Sequence, residues 1–183
     1  MVALLCVPAE RTIFAVRKDL PLSHYYHIIK ITSRQQLIVE IADALDMSLD
    51  EGCFFLNLTE QVVGLHLSDY YGDDDCAWPH NGDEVVQIDP LPSNESFVEM
   101  EEFTETQPHD IADKLYSALN GGRPFARFRG ALEALDLLDD WYTFKNEWYS
   151  SKAEEWMRDK GVDFVDGKII CTGNTLTWFE EDD

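Results

Sequence analysis

Residues 121–149, GGRPFARFRGALEALDLLDDWYTFKNEWY, constrain the fold more than any other stretch, because a helix stop, a helix start and a run of large aromatics follow one another directly. Gly121 and Gly122 tolerate the left-handed backbone that ends a helix, and Pro124 suits the first turn of the next one, where its missing N–H has no partner to lose. A helix is therefore predicted to start near Pro124. Phe125, Phe128, Leu132 and Leu135 recur at helical spacing, Leu138 continues the stripe, and that face is predicted to be core. Asp139 or Asp140 is placed to cap a second helix bearing Trp141, Phe144, Trp148 and Trp156, which ends at the basic turn before Gly161. Two aromatic helices joined by a tight corner are the expected centre of the molecule.

Taken from the start, residues 2–7 and 12–16 are apolar runs of strand type, and residues 25–31, YYHIIKI, add a third. His24 and His27 are three apart, but in a strand they point to opposite faces, so both are read as surface or packing residues. Ser33 caps a helix whose stripe is Leu37, Ile41, Ala42 and Leu45. Residues 53–67, CFFLNLTEQVVGLHL, alternate around a polar turn and predict a β-hairpin with one buried face. Val85, Val86 and Ile88 form a short strand. Ser93 or Asn94 then caps a helix with Phe97, Met100 and Phe103 inward and Glu99, Glu101, Glu102 and Glu105 outward. Pro108 opens another helix, striped by Ile111, Leu115 and Leu119. Asp166-Gly167 between two apolar runs is a strong hairpin signal, residues 175–179 supply a further strand, and residues 180–183 are an acidic tail. The expected fold class is α+β: a small antiparallel sheet or hairpins with a C-terminal helical bundle. Its expected divisions are a strand-rich extension over 1–33, an α+β domain over 34–161, and a hairpin and tail over 162–183.

Charge sets the function classes. The chain has 183 residues, enough for one domain with an ordinary core, yet it carries 36 Asp and Glu against 14 Lys and Arg, a net charge of −22. Between residues 35 and 113 there are 20 carboxylates and no Lys or Arg. Affinity for phosphate backbones and anionic lipid comes largely from Lys and Arg, so direct nucleic-acid binding and membrane attachment are both disfavoured. Cys6, Cys53, Cys76 and Cys171 show no metal or redox spacing and are read as reduced, mostly buried thiols. The first residues, MVALLCVPAERTIF, lack a basic leader and the length of a spanning helix, which points to a cytoplasmic protein with no membrane segment.

Residues 68–83 form the least regular segment. The run Asp73, Asp74, Asp75 is the candidate metal set, but it lacks the alternating ligands, sixth-position Gly and twelfth-position Glu of a calcium loop. Cys76 and His80 are too few for a closed zinc site. A solvated acidic loop is the expected reading, with no cofactor.

The runs IDPLPSNESFVEMEEFTET, ALNGGRPFARFRGALE and LLDDWYTFKNEWY, with Ala153, Trp156 and Gly161, resemble the bacterial uncharacterised protein family 0158 over about residues 34–161. The resemblance implies a common fold for that region and assigns no activity or catalytic residue.

Arg123, Arg127 and Arg129 are the candidate ligand-binding cations. They follow a double Gly at a helix N-terminus, where free N–H groups, helix dipole and guanidinium forks favour an anion together. Against this, Arg129 has Glu133 one turn ahead, and cross-fold pairing suffices for the other two. Trp141, Tyr142, Phe144 and Trp148 are the candidate partner-binding aromatics, although core packing accounts for most of such a run. The preferred function is a non-catalytic interaction or regulatory module whose acidic hairpin and loop side meets a basic protein surface. One alternative is an enzyme or binding protein for a phosphorylated or nucleotide ligand, with the arginines as clamp. The other is a nucleic-acid mimic or a salt-adapted structural protein.

Overall fold

The computed structural model describes residues 28–47, 53–66 and 79–178. The expected strands at 2–7 and 12–16, His24 and His27, the Asp73–Asp75 run and Cys76 lie outside the described residues.

Five strands form one antiparallel sheet in the order β1-β3-β2-β4-β7: β1 is Ile28–Lys30, β2 Cys53–Asn57, β3 Val62–His66, β4 Glu84–Ile88 and β7 Leu176–Thr177. The predicted β2–β3 hairpin is present, with Asn57 opposite Val62 across the polar turn. Its burial differs from the expectation of one covered face. Side chains alternate along a strand. Phe54, Leu56, Val63, Val86 and Ile88 accordingly join the main core, while Phe55, Val62 and Val85 form a second cluster on the other side against Trp178. Phe55 meets the Trp178 ring edge to face at 5.1 Å. The second cover is supplied from the far end of the chain, where β7 pairs with β4, and so leaves no mark in the hairpin itself.

Helix α1, Arg34–Asp46, starts as predicted: the Ser33 side chain accepts from the Gln36 N–H at 3.1 Å. Its buried stripe packs on the sheet and on α5, Leu138–Lys160, burying Leu37, Ile41 and Leu45 with Tyr149, Ala153 and Met157. Gly161 ends α5 with a φ of 69°. The chain then turns into a separate two-stranded sheet, β5 Val162–Val165 and β6 Lys168–Cys171, closed at Asp166-Gly167 with φ values of 50° and 79°, the signature of a type I′ turn.

The other helices form an arm on the first half of α5. They are α2 Ser93–Glu105, α3 His109–Leu119 and α4 Pro124–Ala134. Met100, Phe103, Leu115, Leu119, Phe128 and Leu132 are buried among them, and Phe144 touches both this cluster and the main core. Phe103 is the hub, with ring centroids 5.2 Å from Trp141 and 5.4 Å from Phe144. Pairs of this geometry add to simple burial.

Three local expectations are corrected. Phe125 is 51% exposed, not core. It is the second residue of α4, at the very start of the helix, ahead of the buried Phe128 and Leu132. Helix α2 begins at Ser93 with Pro92 in the cap position and no side-chain cap. Asp139 and Asp140 lie inside the first turn of α5, facing its positive end, with Leu137 at the cap position.

Candidate functional site

The α3–α4 corner places the candidate arginines. Arg123 occupies the residue before Pro124 with a φ of 58°, a left-handed conformation that a non-glycine residue adopts at a cost. Its side chain is exposed. Arg127 turns back over the end of α3, donating to the Ser117 carbonyl at 3.3 Å, and its guanidinium fills the space a Cβ on Gly121 would occupy. Arg129 points the other way along its own helix and donates to Glu133 Oε1 at 3.2 Å. Arg127 and Arg129 are therefore directed to different partners and do not share one point.

The aromatics divide as core packing requires. Trp141 and Phe144 surround Phe103, and Trp141 meets Phe128 at 5.2 Å. Trp148 is buried, donates from Nε1 to Glu102 Oε2 at 2.8 Å, and carries the Lys152 ammonium 4.9 Å from its ring centroid. Tyr142 on α5 is 43% exposed, and Phe125 on α4 is the other exposed large ring of this region.

A small cleft of about 70 Å³ lies between α1 and α5, lined by Val39, Asp46, Lys145 and Tyr149 among others. Lys145 Nζ is 2.8 Å from Asp46 Oδ1 and 5.4 Å from the Tyr149 ring centroid. Glu99, expected on the outer face of α2, is 2% exposed and interacts with both members of that pair. Burial pushes its carboxyl up to about 7, with Lys145 opposing the shift and Asp46 adding to it. Its Oε1 has no hydrogen-bond partner. Burial also raises the Tyr149 phenol, helped by the Asp46 charge. The spacing did hold the signal for Glu99: it is four residues before Phe103, on the same helical face. A carboxyl titrating near neutrality can exchange a proton, and Lys145, Asp46 and Tyr149 are the polar groups that interact with it.

At the other end of the sheet, three ligand-type side chains converge. Glu60 is in the β2–β3 turn, and His80 and Asp83 precede β4. Their ligand atoms all lie within 4.8 Å of one another. His80 Nδ1 is 3.3 Å from Glu60 Oε1 and 3.7 Å from Asp83 Oδ2. Asn57, fully buried, fixes the group from beneath: its Nδ2 donates to Asp83 Oδ2 at 2.6 Å and its Oδ1 accepts from the Glu60 N–H at 3.0 Å. The His80 backbone N–H also donates to Asp83 Oδ2, at 3.0 Å. In sequence His80 stood beside Cys76 and the aspartate run. Glu60 is twenty residues away and joins it only through the β2–β4 pairing, so sequence spacing concealed the set.

Among the described residues, no helix is long and apolar enough to cross a membrane. The UPF0158 protein PA5073 of Pseudomonas aeruginosa is 32% identical to the chain over 91 residues, which cover 48% of this chain and 59% of that protein. The matched region thus spans less than two thirds of that relative's length. No solved structure matches. A model of an uncharacterised protein family, UPF0158, matches residues 34–172, running past Gly161 through the β5–β6 hairpin; the chain belongs to that family.

Proposed function

We propose that this chain is a non-catalytic interaction module of the cytoplasm, whose acidic α2–α3 arm docks on a basic protein surface. The observation that carries the reading is the charge of that arm. Residues 93–119 hold seven carboxylates, at 95, 99, 101, 102, 105, 110 and 113, against the single cation Lys114; Glu99 is buried and Glu95 pairs with Lys152 of α5 at 3.6 Å, which leaves five for the surface. Glu105, Asp110 and Asp113 are exposed. The Tyr116 phenol reports the local field: desolvation raises its pKa, and the charges of Glu105 and Glu101 raise it further. Such a surface steers a cationic partner and repels phosphate backbones. Phe125 on α4 and Tyr142 on α5 are exposed large rings that can add apolar contact to the charged one.

The test is affinity capture from cell extract with the full chain and with the variant E101Q/E105Q/D110N/D113N. The expected result is at least one protein that the native chain retains at low salt, that is lost at high salt, and that the neutralised variant does not retain. A partner set unaffected by both changes would falsify the reading. An anion-clamp reading stands second, because Arg123 is exposed at a helix N-terminus. A thermal shift with a nucleotide or inorganic phosphate, abolished by R123A, would favour it. Stability that climbs to molar salt with nothing captured would favour salt adaptation instead.

A further inference from the structure

We propose that Glu60, His80 and Asp83 form a binding site for one divalent transition-metal cation. The spacing is the first argument. Ligand bonds of about 2.1 Å in a tetrahedral arrangement put neighbouring donor atoms about 3.4 Å apart. The His80 Nδ1 separations from the two carboxylates, 3.3 and 3.7 Å, bracket that distance. Chemistry is the second. One imidazole nitrogen with two carboxylates suits Zn²⁺ or Mn²⁺, whereas a set made only of oxygen would suit Mg²⁺ or Ca²⁺.

Support from outside the ligand set is the third. Asn57, itself fully buried, holds the Asp83 carboxylate with one end of its amide and the Glu60 backbone with the other. Outer residues that orient ligating carboxylates commonly do this in metal sites. Asp83 Oδ2 already accepts from Asn57 and from the His80 backbone N–H, which uses its two lone pairs, so the capacity for a cation lies on Oδ1 of the same carboxylate. Finally, the site is buried on one side and open on the other: the side chains of Asp83, Glu60 and His80 are 9%, 36% and 63% exposed. That leaves the outer coordination positions to water or to an external ligand, unlike a closed structural site.

The experiment titrates the full chain with Zn²⁺, and in parallel with Co²⁺ for its visible spectrum, comparing native protein with H80A and D83N. The expected result is one site that weakens at least tenfold in both variants, and a Co²⁺ spectrum without a thiolate charge-transfer band. Excess Mg²⁺ or Ca²⁺ should not displace the bound Zn²⁺. His80 is largely exposed, so H80A should melt with the native protein in the absence of metal, while Zn²⁺ raises the melting temperature of the native chain alone. Unchanged affinity in H80A, a thiolate band, or displacement by Ca²⁺ would each overturn the site and assign the binding to cysteines or to scattered surface carboxylates.

Discussion

The Gln61 side-chain amide pairs with both backbone groups of Ile169, donating to its carbonyl at 3.1 Å and accepting from its N–H at 2.5 Å. It thereby joins the β2–β3 turn of the main sheet to β6 of the separate two-stranded sheet, although the two residues are 108 positions apart. In a two-residue hairpin the facing pairs alternate between bonded and non-bonded, and Ile169 directs its backbone outward to meet this amide. Replacing Gln61 by Ala would strand a donor and an acceptor beside the buried Ile169 side chain. The expected loss is about 1–3 kcal/mol in urea denaturation, with faster amide exchange at Ile169. Q61E, which keeps an acceptor but no donor, should fall between the two. Equal stability of all three would remove this link from the fold.

Most elements were legible because each carries its own local signal: Ser33 as a cap, the alternation through 53–67, Asp166-Gly167 as a turn, and Gly161 as a stop. What the sequence concealed was each element's cover. Phe125 follows the periodicity of its helix yet is exposed, because periodicity names a face and not how far along it a neighbouring element packs. Phe55 and Val85 are buried on the sheet's second face, where Trp178 packs against them. The candidate site shows the same limit. Arg129 with Glu133 was readable at four-residue spacing. Glu60 with His80, and Glu99 with Lys145, depend on strand pairing and helix packing across long separations.

Glu99 gives the protein a pH dependence opposite in sign to that of an ordinary ion-paired carboxylate. Burial raises its pKa from 4.5 to about 7, so the folded state holds the proton more tightly than the unfolded chain does. Its contribution is complete below about pH 4.5 and is lost as pH rises through about 7. Glu40, raised to about 7 by burial and by Asp43, works in the same window. Glu99→Gln keeps the shape and removes the charge. Relative to the native chain it should gain on the order of 2 kcal/mol between pH 5 and pH 8, a linkage value already reduced for screening near the cleft. Denaturation curves at the two pH values measure it, and a pH-independent difference would show that Glu99 is solvated.

The join between α5 and the β5–β6 hairpin rests on a backbone-to-backbone approach. Thr172 N–H donates to the Gly161 carbonyl at 2.8 Å, and a Cβ on Gly173 would overlap the Lys160 carbonyl oxygen. Gly161 adds its own requirement, since a side chain there would be left-handed and within 2.8 Å of the Gly173 nitrogen. Neither obstacle is a flexible side-chain end that can swing away. G173A should cost roughly 2 kcal/mol or more, and G161A about the same, by strain and displaced backbone. Thermal unfolding with two-state analysis checks both, and a cost below about 0.5 kcal/mol for G173A would mean that the hairpin is not held against the helix end.

Phe103 and Phe125 provide the sharpest contrast between core and docking surface on the arm. Phe103 is 2% exposed and meets three other rings, at 5.2, 5.4 and 6.4 Å, whereas Phe125 is 51% exposed. Removing a buried aromatic costs its transfer energy and leaves a cavity, so Phe103→Ala should lose about 3–5 kcal/mol and release α2 from α5. Phe125→Ala should change stability by less than about 0.5 kcal/mol, as exposed substitutions do. Because the proposed interaction gives the exposed Phe125 ring an apolar contact with the partner, the same variant should weaken partner capture at low salt with stability unchanged. If Phe125→Ala instead destabilised the chain as Phe103→Ala does, that ring would belong to the core and would offer no surface to a partner.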